Sequence, residues 1–271
     1  MMNFFKLLNF ETNRFWNPFA FLATCIAVFQ LCGLFIMTRS FNNNIRSATM
    51  DNSEYAIEHS KFEFFYFINS MWFIVPIIIS STVLSLYIFI IWYREWYGKS
   101  SFIYRLLMLP TARITVYVAK LCTVLLFTFG LLAWQVGLVI IEQIVAKALI
   151  PASLYSKESN FSAYLNEPLS IFIPTTITGF ILLYGFGAII VIVLFTSILL
   201  ERSYRLKGIG FAILYSLLVM IVLLSPFLIK VIFNNSLYLS ELTLLTILTS
   251  IIVIAVSILL SRYLLKYKVA V

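Results

Sequence analysis

Hydrophobic and polar residues occur in this chain as long separate blocks rather than in short alternation. A helix needs about 20 apolar residues to cross a bilayer core, and six uncharged stretches approach or exceed that length. These stretches are Phe19–Met37, Phe64–Tyr93, Leu121–Ile141, Pro168–Leu200, Gly208–Ile229 and Leu242–Ser261. The pattern predicts an all-α polytopic membrane protein with a single transmembrane domain over residues 1–271. We place its six transmembrane helices at about 19–37, 66–93, 114–141, 171–200, 208–229 and 242–261.

Charged residues are distributed unequally among the connecting segments. The N-terminus, the second and fourth loops and the C-terminus hold 13 of the 19 Lys and Arg residues and 3 of the 11 acidic residues. Segments rich in Lys and Arg remain cytoplasmic, so we expect both termini inside (N-in/C-in). Four aromatic residues fall where the second span would leave the membrane, a depth that such rings prefer: Trp92, Tyr93, Trp96 and Tyr97.

The composition agrees with a membrane location and argues against nucleic-acid binding. The chain is 62% hydrophobic, with a mean hydropathy of +1.01. Its net charge of +8 lies mainly in the segments expected to be cytoplasmic. Anionic lipid of the inner leaflet attracts such segments, so membrane lipid is the expected partner of this charge.

Asp, Glu, Lys, Arg and His are absent from the five cleanest apolar stretches, and Lys120 precedes the third, from where it is expected to snorkel to the interface. Proton- or sodium-driven carriers usually need charged groups inside the membrane, so we expect neither a self-powered carrier nor a charge-ringed channel. His59 has no second histidine to share a metal, and Cys25, Cys32 and Cys122 suit buried hydrophobic positions. We therefore predict no metal site and no intrinsic catalysis. Because the chain lacks a P-loop sequence, energy for transport would come from another subunit.

Residues 2–16 mix apolar and polar side chains in a way that suits a helix lying in the membrane interface. We interpret this segment as an N-terminal amphipathic elbow helix, which Asn17-Pro18 is expected to break. An ordinary charged flank is the alternative.

The second cytoplasmic segment, residues 94–113, contains a short apolar stretch. Ser100 or Ser101 can cap a helix and Pro110 must end it, which leaves about two helical turns. Such a helix is too short to span the membrane, and it is apolar on nearly every side, with Arg105 as its one charge. Either a cytoplasmic partner covers part of it, or it is sunk entirely at the interface.

The residues of this segment resemble a known family. The run R-E-W-x-G-K-x-x-x-x-Y-R-L-L-x-L-P-x-x-R-x-x-x-Y-x-A-K, over Arg94–Lys120, is similar to the first intracellular loop of ABC-2-type permeases from low-GC Gram-positive bacteria. These are membrane subunits of ATP-binding-cassette exporters for antimicrobial peptides, toxins and related compounds. The elbow and six spans also resemble them in outline, whereas a large extracellular domain, present in some of these permeases, is absent.

The resemblance implies a coupling helix between spans 2 and 3 that docks on an ATPase subunit. It implies two cytoplasmic ATPase subunits, which would bind ATP and Mg, and a second permease chain, identical or paralogous. The residues implied in ATPase docking, or in bracing the loop, are Arg94, Glu95, Lys99, Phe102, Tyr104, Arg105, Leu107, Met108 and Arg113.

Proline and glycine mark places where a span can bend or approach a neighbour. The fourth stretch is predicted to contain a short outer helix before Pro174 and then a span whose Gly185-x-Gly187 face packs against another helix. A purely structural role is the alternative. Candidate gate or packing residues are Pro76, Pro174, Gly185, Gly187 and Pro226, and a transport cavity would be lined by Gln30, Ser80, Ser81, Thr82, Gln135, Thr175, Thr176 and Thr178. The two longer outer loops, Arg39–Glu63 and Glu142–Glu167, are expected to fold as small lids.

The function expected from these features is that of a permease subunit in the bacterial plasma membrane, exporting a hydrophobic or amphipathic substrate such as a peptide. The alternative is a membrane immunity protein that binds a peptide or lipid without transporting it.

Overall fold

The computed structural model describes residues 2–50, 61–97, 113–152, 154–156, 172, 174, 176–204, 206–232 and 238–268. Seven α-helices occur in these ranges: α1 (Met2–Met50), α2 (Phe64–Ile68), α3 (Met71–Tyr97), α4 (Arg113–Leu149), α5 (Ile177–Tyr204), α6 (Leu206–Ile232) and α7 (Leu239–Tyr263). A π-helical turn, Leu264–Lys268, follows α7. The described residues contain one isolated β-bridge, between Phe62 and Tyr155, and no strand.

Six helical segments are long and apolar enough to cross a membrane, which confirms the predicted all-α fold of the described residues and its six candidate spans. They are longer than the apolar stretches, because helices continue beyond the bilayer core into polar sequence. Thus α1 extends to Met50 and α4 to Leu149, where the sequence predicted loops from Arg39 and Glu142.

Two features of these helices differ from what the sequence suggested. Pro18 lies inside α1 and does not end it, because a proline removes one backbone hydrogen bond and membrane helices tolerate that loss. The second span is interrupted at Asn69-Ser70, between α2 and α3. Here the Asn69 amide donates to the Phe65 carbonyl (3.1 Å) and the Ser70 hydroxyl to the Phe67 carbonyl (2.6 Å), local bonds that compete with a continuous helix.

The chain divides into two compact units. Unit 1 consists of Met1–Thr12, Ser85–Leu125 and Thr178–Val271. Buried aliphatic residues of α5, α6 and α7 form one of its cores: Ile189, Val193, Val219 and Val253. Hydroxyl pairs link these helices: Thr196 with Ser261 (3.0 Å) and Tyr215 with Ser257 (2.6 Å). Such bonds are typical of helix contacts in a membrane, where lipid offers no alternative partner.

Unit 2 consists of Asn13–Leu84 and Leu126–Ile177. Within it α1 and α4 are joined twice, since Gln135 donates to the Gln30 side chain and Asn42 donates to the Leu149 carbonyl, both at 3.3 Å. The two pairs have nearly the same sequence separation, 105 and 107 residues, so the contacts advance along both helices in the same direction. Between these two contacts, α1 and α4 therefore run parallel. An aromatic-rich core lies in the same unit: Leu34, Phe62, Phe64, Phe67, Ile68, Phe73, Ile77, Val139, Ala146 and Ile150.

Candidate functional site

Three charged side chains meet inside unit 1. The Lys120 ammonium lies 2.6 Å from Glu95 Oε1 and 2.8 Å from Glu11 Oε1, and it also donates to the Ile91 carbonyl at 3.1 Å. Lys120 and Glu95 are completely buried, and Glu11 is 2% exposed. An ammonium has three N–H donors, and here each has an acceptor. We call Glu11, Glu95 and Lys120 the ion cluster.

Each member of the ion cluster comes from a different helix. Ile91 and Glu95 are four residues apart on α3, so the carbonyl and the carboxylate lie along one helix face. Lys120 is the eighth residue of α4 and follows Ala119, which packs with Val116 and Leu7 in a small apolar core. That core holds the first turns of α1 against α4 and so places Glu11 at Lys120.

The ion cluster is stable only as a complete set. Two carboxylates and one ammonium have been removed from water, and such a cost is recovered through short, well-directed contacts. Removal of the lysine would leave two buried carboxylates together. The cluster therefore ties α1, α3 and α4 to one another at a single point.

Aromatic rings surround the ion cluster and connect it to α5. The Trp92 ring lies 5.4 Å from the Lys120 ammonium and packs edge-on against Phe195, with ring centroids 5.5 Å apart. Tyr117 packs edge-on against the same Phe195 at 5.6 Å, and its hydroxyl donates to the Ile192 carbonyl at 3.3 Å. All three aromatic side chains are fully buried, which couples the position of α5 to that of α3 and α4.

Only part of the predicted docking set lies within the described residues. Glu95 is in the ion cluster, Arg94 is half-buried in the last turn of α3, and Arg113 donates to the Leu265 carbonyl at 2.8 Å. The segment predicted to form the coupling helix lies outside the described residues. Six residues of the predicted docking set therefore have no described position: Lys99, Phe102, Tyr104, Arg105, Leu107 and Met108.

A second polar contact lies at the ends of α3 and α5. The Tyr93 hydroxyl donates to the Glu201 carboxylate. The Arg202 guanidinium lies 4.8 Å from the Tyr93 ring and 5.8 Å from the Trp96 ring. The aromatic residues assigned to the membrane interface thus contact charged groups of the same unit.

The sequence did not reveal the ion cluster. Lys120 was expected to reach the membrane surface, and this is wrong because its side chain is completely buried between two carboxylates. Glu11 is a polar residue of the segment predicted to lie in the membrane interface, and its side chain is buried in unit 1 instead. A signal was present: the basic segments expected to be cytoplasmic contain three acids, Glu11, Glu95 and Glu201, and each contacts a side chain of its own unit.

The predicted gate residues occupy different environments. Pro76 and Pro226 lie inside α3 and α6 and are buried, and Pro174 precedes α5 outside any helix. Around Gly185 and Gly187, by contrast, no atom lies within 4 Å of an added Cβ. The described part of the chain therefore gives these glycines no closely packed neighbour, and their packing against another helix stays a prediction. Gly33 has such a neighbour, since an added Cβ would lie 2.6 Å from Trp72 Cγ.

The polar residues expected to line a cavity are not gathered in one place. Gln30 is buried and donates to the Phe73 carbonyl at 3.2 Å, and Ser80 is buried and donates to the Ile77 carbonyl at 2.8 Å. Phe73 precedes Pro76 by three residues, so this bond joins α1 to the turn of α3 that leads into the proline. Gln135 is bonded to Gln30, and Thr175 lies outside the described residues. The other four residues of the set are exposed: Ser81, Thr82, Thr176 and Thr178.

Comparison with known proteins gives no assignment. No family model matches the chain, and neither does any curated protein or solved structure.

Proposed function

We propose that the chain is the membrane subunit of an ATP-driven exporter, without catalysis of its own, and that a separate ATPase subunit drives it through residues 94–113. The observation that carries the proposal is the position of the ion cluster. Glu95 and Lys120 lie at the two ends of the sequence run that resembles the coupling region of ABC-2-type permeases, and their side chains are 2.6 Å apart.

This contact supports a mechanical role for the segment between them. A force applied to residues 98–112 reaches the membrane through α3 and α4, which flank the segment in the chain. Because the ion pair of Glu95 and Lys120 joins these two helices, α3 and α4 would move together under such a force. Glu11 adds the start of α1, and Trp92 and Tyr117 add α5 through Phe195.

The substrate proposed is hydrophobic or amphipathic, with a peptide as the leading class. The support is the sequence resemblance together with six apolar helices, whose surfaces expose large hydrophobic side chains along most of their length. The proposed location is the bacterial plasma membrane, with two ATPase subunits and a second permease chain completing the transporter.

The test uses the full chain produced in its native host, together with any ATP-binding-cassette ATPase whose gene neighbours its own. We expect the two proteins to purify as a complex, with hydrolysis stimulated by the membrane subunit. In a Tyr104→Asp/Leu107→Asp variant, charges on the apolar segment should abolish both the stimulation and the complex. Tyr267→Asp is the control, because Tyr267 is a 63% exposed tyrosine in the C-terminal segment expected to lie on the same side. A Tyr104/Leu107 variant that retains full stimulation would refute the docking proposal, as would a chain that purifies without any ATPase.

A further inference from the structure

A third buried carboxylate, Glu142, lies in unit 2 and belongs to no ion pair among the described residues. It is on α4, seven residues before the helix ends at Leu149, which corresponds to about 10 Å along the axis. Its side chain is completely buried, and neither carboxylate oxygen has a hydrogen-bond partner in the described structure. The sequence placed Glu142 at the start of an outer loop, and the continuation of α4 makes that placement wrong.

The face of α4 that carries Glu142 is apolar. Val139 and Ala146 lie one turn before and one turn after it on the same face, and both belong to the aromatic-rich core of unit 2. Polar groups at neighbouring levels have partners elsewhere. Thr38 donates to the Leu34 carbonyl at 2.9 Å, and Asn42 donates to the Leu149 carbonyl.

No cation of the described segments offsets the charge of an ionised Glu142. The segments that pack in this core are α1, residues 61–68, the first half of α3, the end of α4 and residues 154–156. The first half of α3, Met71–Leu84, has no titratable side chain. Lys147 is exposed and its ammonium lies 5.7 Å from the centre of the Tyr155 ring. The hydroxyl of Tyr155 is buried without a hydrogen-bond partner in the described structure. The remaining titratable groups of the described segments around this core are exposed: Cys32, Arg39, Arg46, Lys61, Glu63 and Tyr66.

Burial without a partner determines the protonation state. An ionised carboxylate in an apolar interior costs far more free energy than the neutral acid, so such a group binds a proton instead. We propose that Glu142 is a proton-binding site, which carries a proton at neutral pH while this part of unit 2 is closed and releases it when water enters.

We place the entry of water at the contacts that follow the end of α4. Above the end of α4, Phe62 donates its backbone N–H to the Leu154 carbonyl (2.8 Å), and Ser156 donates to the Phe62 carbonyl (3.1 Å). The Phe62 ring packs edge-on against Phe41 at 5.4 Å. These contacts join the described parts of the two outer loops into a small cap. Opening the cap hydrates Glu142 and favours its ionisation, so protonation favours the closed form and alkaline pH the open one.

This proposal does not depend on the proposed function. A proton-binding carboxylate within α4 does supply the kind of group that proton-driven carriers need, and the apolar stretches of the sequence lack such a group. Proton release at Glu142 is compatible with an ATP-driven cycle and with a carrier.

Infrared spectroscopy of the full chain in bilayers of ether-linked lipid, which has no ester carbonyl to absorb in the same region, tests the proposal directly. A protonated carboxylic acid has a carbonyl-stretch band above the amide band, and an ionised carboxylate does not. We expect this band at neutral pH in the wild type, its loss in Glu142→Gln, and its retention in Glu63→Gln, which removes an exposed carboxylate of the same unit. Equal spectra for the wild type and Glu142→Gln at neutral pH would overturn the proposal.

A second measurement uses the melting temperature of the same two proteins as a function of pH. The folded state binds one more proton than the unfolded state at neutral pH, so wild-type stability should fall as pH rises. Glu142→Gln lacks this component, and its melting temperature should decline less between neutral and alkaline pH. Parallel melting curves across that range would count against a proton at Glu142, even if both proteins fold equally well.

Discussion

The two units of the chain bury carboxylates in opposite ways. In unit 1, Glu11 and Glu95 share the Lys120 ammonium, and all three donors of the lysine are used. In unit 2, Glu142 lies against an apolar face without an ion pair among the described residues. The first arrangement holds three helices at one point and is suited to transmit force. The second can exist only if the group is neutral, and it is suited to respond to water and protons.

The largest effect is expected from Lys120→Met, which removes the only cation in the ion cluster. Two carboxylates would remain buried together, and breaking a buried ion pair from one side costs about 3–5 kcal/mol. We expect a loss of this size in the free energy of unfolding in detergent, measured by chemical denaturation. Lys207→Met, at an exposed position of the same unit, should change the value by less than about 0.5 kcal/mol.

A compensated variant distinguishes the charge of the cluster from its shape. Glu11→Gln/Glu95→Gln/Lys120→Met has no buried charge left, and neutral replacement of buried ion pairs is often well tolerated. We expect it to regain more than half of the stability that Lys120→Met loses. If the triple variant is as unstable as the single one, packing rather than charge explains the effect.

The transmembrane helices were the part of the fold most accessible from sequence, because burying about 20 consecutive apolar residues in lipid dominates every local preference. Charged positions were harder to place. In the sequence, Glu142 and Lys120 lie at the ends of apolar stretches, where a charge is expected to face water. Whether it does so depends on which side chains of the neighbouring helices pack around it, and both residues are buried. Glu11 illustrates this, since its partner is 109 residues away in the chain. Pro18 was read as a break because sequence alone does not show that a helix can lose one hydrogen bond and continue.

The next largest effect is expected in unit 2, at the close contact between Gly33 and Trp72. Gly33 on α1 lies directly against Trp72 of α3, and an added methyl group would be 2.6 Å from Trp72 Cγ, part of the rigid stem of that side chain. Overpacking of this kind costs about 1–3 kcal/mol, and we expect Gly33→Ala to lower the free energy of unfolding by such an amount.

Gly137→Ala on α4 is the matched control, since open space surrounds an added Cβ there. Alanine is favoured over glycine inside a helix, by up to about 1 kcal/mol, so this variant should be unchanged or slightly more stable. Equal losses at positions 33 and 137 would show that the close approach of Gly33 to Trp72 is unimportant.

The smallest effect is expected at Gly187, an exposed glycine of unit 1 with no atom within 4 Å of an added Cβ. For a chain on its own, Gly187→Ala should change the free energy of unfolding by less than about 0.5 kcal/mol, or raise it slightly through helix propensity. Small residues on a membrane helix also let two helices approach closely, and a second permease chain would use such a surface. The variant is therefore measured twice, by unfolding of the monomer and by the fraction of dimer in lipid. Unchanged unfolding with reduced dimer would place a second copy at this face of α5, whereas an unfolding loss comparable to that of Gly33→Ala would show that the glycine packs within the chain after all.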